Sequence, residues 1–226
     1  MLVSGFPAGP PGTNCFVIAP GPGEQCVVID PGIAATGPLD ELLDRYRLRP
    51  AAVLLTHGHL DHTFSVVPVC EARDVPAWIH PDDRPQLTDP LLWIGAPPGT
   101  LVLGIPNLPA AEPADLRMMA DGDVLQIAGL TLGVRHTPGH TLGSVVFTLA
   151  SPDAPLLFAG DLLFAGSIGR TDLPGGSYPA MLDSLARVVL PMDDETVVHP
   201  GHGPATTVGR ERAANPYLQL ASGRRA

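Results

Sequence analysis

The chain has 226 residues, 45% of them hydrophobic, with a formal net charge of −10 and a mean hydropathy of +0.20. That apolar content excludes a largely disordered protein and suffices for one sizeable core, so a single domain over residues 1–226 is expected. No apolar run approaches the roughly 18 residues that span a membrane, and basic residues form no run except Arg224-Arg225, which speaks against a membrane or nucleic-acid partner.

The start, Met1-Leu2-Val3-Ser4-Gly5-Phe6-Pro7, lacks the basic segment and apolar run of a secretory signal, and Cys15, Cys26 and Cys70 form no Cys-x-x-Cys pair. Both features predict a cytoplasmic protein whose cysteines are small buried side chains. Residues 14–18 and 26–29 read as strands joined through Pro20-Gly21-Pro22-Gly23, a hairpin. Asp30 follows, either as a turn residue or as a partner that orients a metal-ligating histidine. Over residues 38–48, Leu39, Leu42, Leu43 and Tyr46 recur at helical spacing behind Pro38, with Asp40 and Glu41 in the first turn where negative charge is favourable.

Ala51-Ala52-Val53-Leu54-Leu55 is apolar without alternation, which predicts a strand buried on both faces. It delivers Thr56-His57-Gly58-His59-Leu60-Asp61-His62, three imidazoles and a carboxylate in close succession. Imidazole nitrogen and carboxylate oxygen are ligands for zinc and neighbouring divalent metals, and packed together without a cation they would compete for too few partners. A metal site is therefore expected where this strand ends.

A helix over residues 64–73 and a strand over 75–79 follow, then His80, which is not assigned as a ligand. Residues 86–120 are irregular, with Leu91-Leu92-Trp93-Ile94 and Leu101-Val102-Leu103 between Pro and Gly breakers; they form either a wall of a substrate pocket or an ordinary covering loop. A second hairpin, 124–127 and 130–135, leads to His136-Thr137-Pro138-Gly139-His140-Thr141. Strands over 144–149 and 156–159 come next, and the latter runs into Gly160-Asp161. An amphipathic helix over 179–190, a strand over 196–198, His199-Pro200-Gly201-His202-Gly203-Pro204 and a helix over 208–220 complete the chain. The ligand-type groups follow short apolar strands in two similar halves, an arrangement that lets four loops converge on one site.

With Gly169-Arg170-Thr171-Asp172, these motifs make the chain resemble the metallo-β-lactamase fold superfamily and, within it, the glyoxalase II (hydroxyacylglutathione hydrolase) group, over about residues 14–218. The resemblance implies an α/β (α+β) fold: a four-layer αββα sandwich of two mixed sheets, helices on the outer faces and the site at one edge between the sheets. It implies two divalent metal ions, zinc first, with iron or manganese as alternatives. His57, His59 and His140 would hold one, Asp61, His62 and His202 the other, and Asp161 would bridge them. His136 and His199 stand beside ligands but outside the pattern. The implied reaction is hydrolysis of a small-molecule thioester, S-lactoylglutathione or an analogue, by a metal-bridging hydroxide that Asp61 orients.

A thiolate leaves without a strong general acid, and the sequence offers no Gly-x-Ser-x-Gly elbow, Walker A loop or Rossmann fingerprint for a rival mechanism. Arg170 is the candidate to pair a substrate carboxylate; a salt bridge to Asp172 is the other reading. Glyoxalase II proteins carry a longer helical C-terminal region with basic residues for glutathione, whereas this chain stops soon after Asn215-Pro216-Tyr217-Leu218, which leaves another thiol carrier open. A persulfide dioxygenase with a single iron and a lactone hydrolase resemble the same pattern; retention of His202 favours two metals. A non-catalytic metal-binding module is disfavoured, because structural zinc sites are closed and rich in cysteine. The oligomeric state is left open.

Overall fold

The structure is a computed structural model that describes residues 1–97, 100–102 and 108–223. The first sheet runs in chain order: β1 (Leu2–Ala8), β2 (Thr13–Ala19), β3 (Gln25–Ile29), β4 (Arg49–Leu54), β5 (Ala77–Ile79) and β6 (Leu116–Met118). The first three strands pair antiparallel through tight connections, whereas β3 to β6 are parallel. Parallel pairing requires a long return, here supplied by α1 (Thr36–Tyr46) and by α2 (Leu60–Thr63) with α3 (Val66–Arg73). The 3₁₀ turn Pro81–Leu87 and α4 (Pro90–Trp93) lie between β5 and β6.

The second sheet has the order β12-β11-β10-β9-β8-β7 and comprises β7 (Val124–Ile127), β8 (Leu130–His136), β9 (Val145–Leu149), β10 (Leu156–Gly160), β11 (Val197–Pro200) and β12 (Thr206–Thr207). Its parallel pair, β10 with β11, is bridged by α5 (Tyr178–Ser184) and the π turn Leu185–Val189. Two helices, α6 (Val208–Ala214) and α7 (Pro216–Ala221), close the chain.

Strand periodicity sorts the core into three apolar layers, and three layers of contact make four layers of structure. From β2 and β3, Cys15, Val17, Cys26 and Val28 pack against α1 and α3 through Leu39, Leu42 and Val69. Ile18, Val27 and Ile29 point the other way and meet Leu132, Phe147 and Phe158 of the second sheet. On that sheet's far side, Val146, Leu157 and Ala159 meet Met181, Leu185, Val208 and Leu218 of the helices. The result is the αββα sandwich with two mixed sheets. All three cysteines are buried, and burial pushes the Cys26 and Cys70 thiols up to about 12, so they serve as packing groups. Among the described residues no helix is long and apolar enough to cross a membrane.

Both expected hairpins and the ligand-bearing strands form as read, with several differences. Residues 2–8, read only for a signal segment, pair along the whole of β2, from Leu2 opposite Ala19 to Ala8 opposite Thr13. Gly5 and Pro7 hide this strand from a propensity argument. The helix expected over 64–73 begins earlier and breaks: α2 carries Asp61 and His62, and α3 starts after Ser65. The C-terminal helix is two, because Pro216 forces extended backbone at Asn215 (φ −78°, ψ 117°), whose side chain then caps α7. Within residues 86–120, α4 and β6 are ordered elements, while Leu103 lies outside the described residues.

Candidate metal centre

Each ligand-type side chain stands just past the end of a buried strand, at the edge where the two sheets meet. β4 ends at Leu54 and leads to His57 and His59; α2 then turns Asp61 and His62 back toward them. His140 follows β8, Asp161 follows β10, and His202 follows β11. Asn14 draws the halves together, its backbone N–H donating to Gly201 O at 2.7 Å and its side chain to Pro200 O at 3.0 Å.

The structure brings all seven expected ligand side chains into one cluster. Ligand-type atoms of His57, His59 and His140 lie within 4.8 Å of one another, as do those of Asp61, His62 and His202, and those of Asp161 with His57 and His62. His59 Nδ1 is 2.8 Å from His140 Nε2, and His202 Nε2 is 3.2 Å from Asp61 Oδ2. His57 Nε2, His59 Nε2 and Asp161 Oδ1 are buried without a hydrogen-bond partner among the described residues. Orphaned buried polar atoms are costly unless something else satisfies them.

The protonation pattern fits a cation. Burial, reinforced by the surrounding imidazoles, holds His57 well below its ordinary value, and burial with His140 lowers His59 to about 3. Burial opposes ionisation of Asp61 and Asp161, but His62 and His202 together, with Thr13 at Asp61 and His140 at Asp161, outweigh it and keep both carboxyls below the usual range. His62 is the exception: burial disfavours its charge, yet Asp61, Asp161 and Asp30 raise it. Ionised carboxylates, as at Asp61 and Asp161, and neutral imidazoles, as at His57 and His59, are the forms that bind a divalent metal. The donor set therefore fits the metals that the fold implies.

Tautomers are set from behind. His62 Nδ1 donates to Asp30 Oδ2 at 2.9 Å, and His140 Nδ1 donates to the Arg170 carbonyl at 2.7 Å, which turns both Nε2 atoms inward. Asp30 also accepts from Thr56 N and Oγ1 at 2.8 and 2.6 Å, so of its two readings the orienting partner holds. Gly201 is required by space: a Cβ there would fall 2.2 Å from Asp161 Oδ1.

Three positioning side chains escaped the sequence reading. Thr13 Oγ1 donates to Asp61 Oδ2 at 2.8 Å. Asp83, fully buried, accepts from Gly58 N at 2.9 Å, Thr141 Oγ1 at 2.6 Å and Gly143 N at 2.7 Å, and so bolts the His57–His59 loop to the His140 loop. Glu211 does the same for the loop after Asp161, accepting from Gly166 N and Asn215 Nδ2 at 2.7 and 2.9 Å. No local signal marks them: Asp83 follows Asp82 in the same turn, and only one of the two faces the loops.

The remaining expectations resolve by contact. Arg170 stands on the wall of the cleft beside the cluster, but its guanidinium is held by Asp172 at 2.7 and 2.9 Å. Ile94 and Val102 line the same cleft, so part of residues 86–120 does form its wall. His80 and His136, with Asp82, make another group of ligand-type atoms within 4.8 Å. Their rings are stacked 4.2 Å apart and 6° from parallel, so the in-plane lone pairs run side by side and do not converge on one ion.

His199 is partly buried, stacked on Phe158 at 4.9 Å with Phe16 at its edge. Burial lowers its pKa from 6.5. Above pH 6.5 it is neutral folded or unfolded; as pH falls below that, the unfolded chain takes up the proton first and stability declines. His199→Phe is expected to flatten this part of the pH dependence, measured by urea unfolding at neutral and mildly acidic pH; an unchanged slope would count against the burial of His199 as its source.

A profile of the metallo-beta-lactamase superfamily matches residues 8–202. An uncharacterized protein of Mycobacterium tuberculosis is 46% identical, over 97% of this chain and 98% of its own length. Hydroxyacylglutathione hydrolase GloC of Haemophilus influenzae is 33% identical, over 81% of this chain and 83% of its own. Among solved structures, BLEG-1, a B3 metallo-β-lactamase, superposes with a TM-score of 0.85 at 38% identity, covering 96% of this chain and 99% of that one. Sandwich, strand-end cluster and profile coincide, and the chain belongs to the metallo-β-lactamase superfamily.

Proposed function

We propose that the protein is a dinuclear metallohydrolase that cleaves a thioester of a low-molecular-weight thiol. His57, His59 and His140 would hold one divalent cation, Asp61, His62 and His202 the other, and Asp161 would serve both; zinc is the first choice, with iron or manganese as alternatives. The observation that carries this reading is the convergence of the seven side chains, with His57 Nε2, His59 Nε2 and Asp161 Oδ1 otherwise unpartnered, beneath an open cleft that five of them line. Bound there, divalent cations lower the pKa of water to near neutrality and polarise a carbonyl.

The side chains supply orientation. Asp61, its Oδ2 steadied by Thr13 Oγ1 and its side chain 24% exposed to the cleft, accepts a hydrogen bond from the attacking water and aligns it with the carbonyl. Asp30 and the Arg170 carbonyl keep His62 and His140 from turning. The departing thiolate needs no strong acid, in keeping with the absence of a further catalytic pair at the cluster among the described residues. Similarity to GloC supports thioester chemistry. Similarity to BLEG-1 supports a second reading, cleavage of a β-lactam amide, whose nitrogen must be protonated as it leaves.

The test is reconstitution with zinc, iron or manganese, metal counting, and hydrolysis of a thioester panel beside a β-lactam, with a chelator-treated control. Chelator-sensitive thioester turnover with two metals per chain is expected. Oxygen uptake with a persulfide, or turnover of the β-lactam alone, would replace the reading. Asp61→Ala is expected to keep the fold, lose one of the two metals and lower turnover by about a hundredfold or more; full occupancy with full turnover would remove Asp61 from its assigned role.

A further inference from the structure

The cleft measures about 550 Å³ and opens directly over His59, Asp61, His140, Asp161 and His202. Beyond these, Ile33, Leu60, Ile94, Val102, Phe164 and Leu173 dominate its walls. Other apolar side chains close in sequence to the lining residues are exposed. Leu92 and Leu101, on the same segment as Ile94 and Val102, are 57% and 64% exposed, and Leu142, which approaches Gly175 beside Trp93, is 47% exposed.

Positive charge is scarce there. Arg170 is the one cationic side chain lining the cleft among the described residues, and both Asp172 oxygens already occupy its guanidinium. The chain contains no lysine, and residues 95–111, which include the stretch around Val102, contain no arginine. A carboxylate laid against these walls would lose water and gain no counter-charge. Asp172 already neutralises Arg170 through Nε and Nη2, so a carboxylate that reaches the remaining N–H groups meets an ion pair with no net charge. Hydrocarbon gains from the same walls by leaving water.

We propose that the cleft selects an acyl thioester whose body beyond the reacting carbonyl is apolar and whose thiol carrier bears no free carboxylate, so that glutathione, with two, is a poor carrier. This substrate class rests on the thioester reading above, and the two are separable by experiment.

S-hexylglutathione and S-hexyl-N-acetylcysteamine share an alkyl group and differ in the charged carrier. Neither has a thioester to cleave, so calorimetric titration of the metal-loaded protein reads recognition apart from turnover. The neutral ligand is expected to bind with a Kd lower by about tenfold or more, the equivalent of one charge-assisted contact that the walls do not supply. Equal or tighter binding of S-hexylglutathione, or no binding of either ligand, overturns the proposal. Hexanoyl thioesters of the same two carriers then test the reaction: the same preference in kcat/KM supports both conclusions. Turnover of neither, with the binding preference intact, supports the selectivity of the cleft and overturns the thioester reading. Ile94→Arg, which adds a cation to the wall, is expected to narrow the gap to about threefold; an unchanged gap overturns the electrostatic cause.

Discussion

Replacing His59 with alanine is expected to lower turnover by about a thousandfold or more and to remove metal from the protein at the same time. The imidazole is 5% exposed, its Nδ1 lies 2.8 Å from His140 Nε2, and its ring meets that of His57 edge-on at 4.9 Å. No other side chain in the His57, His59 and His140 group can replace it, because the neighbouring loop positions are Gly58 and Leu60. Its pKa near 3 keeps the ring unprotonated through the neutral range, so the loss is of a ready ligand and not of a proton carrier. The metal-free variant is expected to unfold at the same urea concentration as the metal-free parent or a slightly higher one, since crowded buried imidazoles cost stability in the absence of a cation. Metal counting and unfolding together decide the matter. Parental metal content in His59→Ala would exclude His59 as a ligand, whatever the turnover.

Asp83→Ala is the second large effect, and it acts at a distance from the reacting atoms. Removing the carboxylate leaves Gly58 N and Gly143 N without their acceptor in a buried place, while Thr141 Oγ1 keeps only Ser144 Oγ, 2.6 Å away. At about 1–3 kcal/mol for each unmet donor, and with partial relaxation, the expected loss is about 3–5 kcal/mol of stability. Because these donors belong to the loops that carry His57, His59 and His140, metal affinity should also fall by about 10–100-fold. Burial raises the Asp83 pKa against the pull of its three donors, so a neutral amide of the same shape is tolerated better. Asp83→Asn, which still offers one acceptor oxygen, should recover part of both losses. Wild-type metal affinity in a folded Asp83→Ala protein would show that the two loops hold their positions without this bolt.

Local signals in the chain account for much of the architecture. Apolar runs such as Ala51-Ala52-Val53-Leu54-Leu55 mark buried strands, because only a strand covered on both faces dispenses with polar alternation. The density of imidazole and carboxylate in His57-Gly58-His59-Leu60-Asp61-His62 marks a cation site, because such groups cannot otherwise be satisfied when packed together. Other features have no local signature. β1 is interrupted in composition by Gly5 and Pro7 and forms because β2 offers it a full ladder. The break between α2 and α3 arises where Asp61 and His62 must face the cluster while Val66 and Val69 face the first sheet.

By itself, the sequence determined the ligand-type residues and their strand-end placement, since these depend on periodicity and side-chain chemistry within a few residues, whereas the layer order was implied by the family resemblance. Only the tertiary structure decided that Asp30 and Asp83 serve the cluster while Asp82 does not, that Arg170 is already paired with Asp172, and that the cleft is walled by Ile33, Ile94, Phe164 and Leu173. These depend on which side chains from distant segments share a few ångströms, such as Asp83 with Thr141 and Gly143, and no neighbour in the chain records that distance.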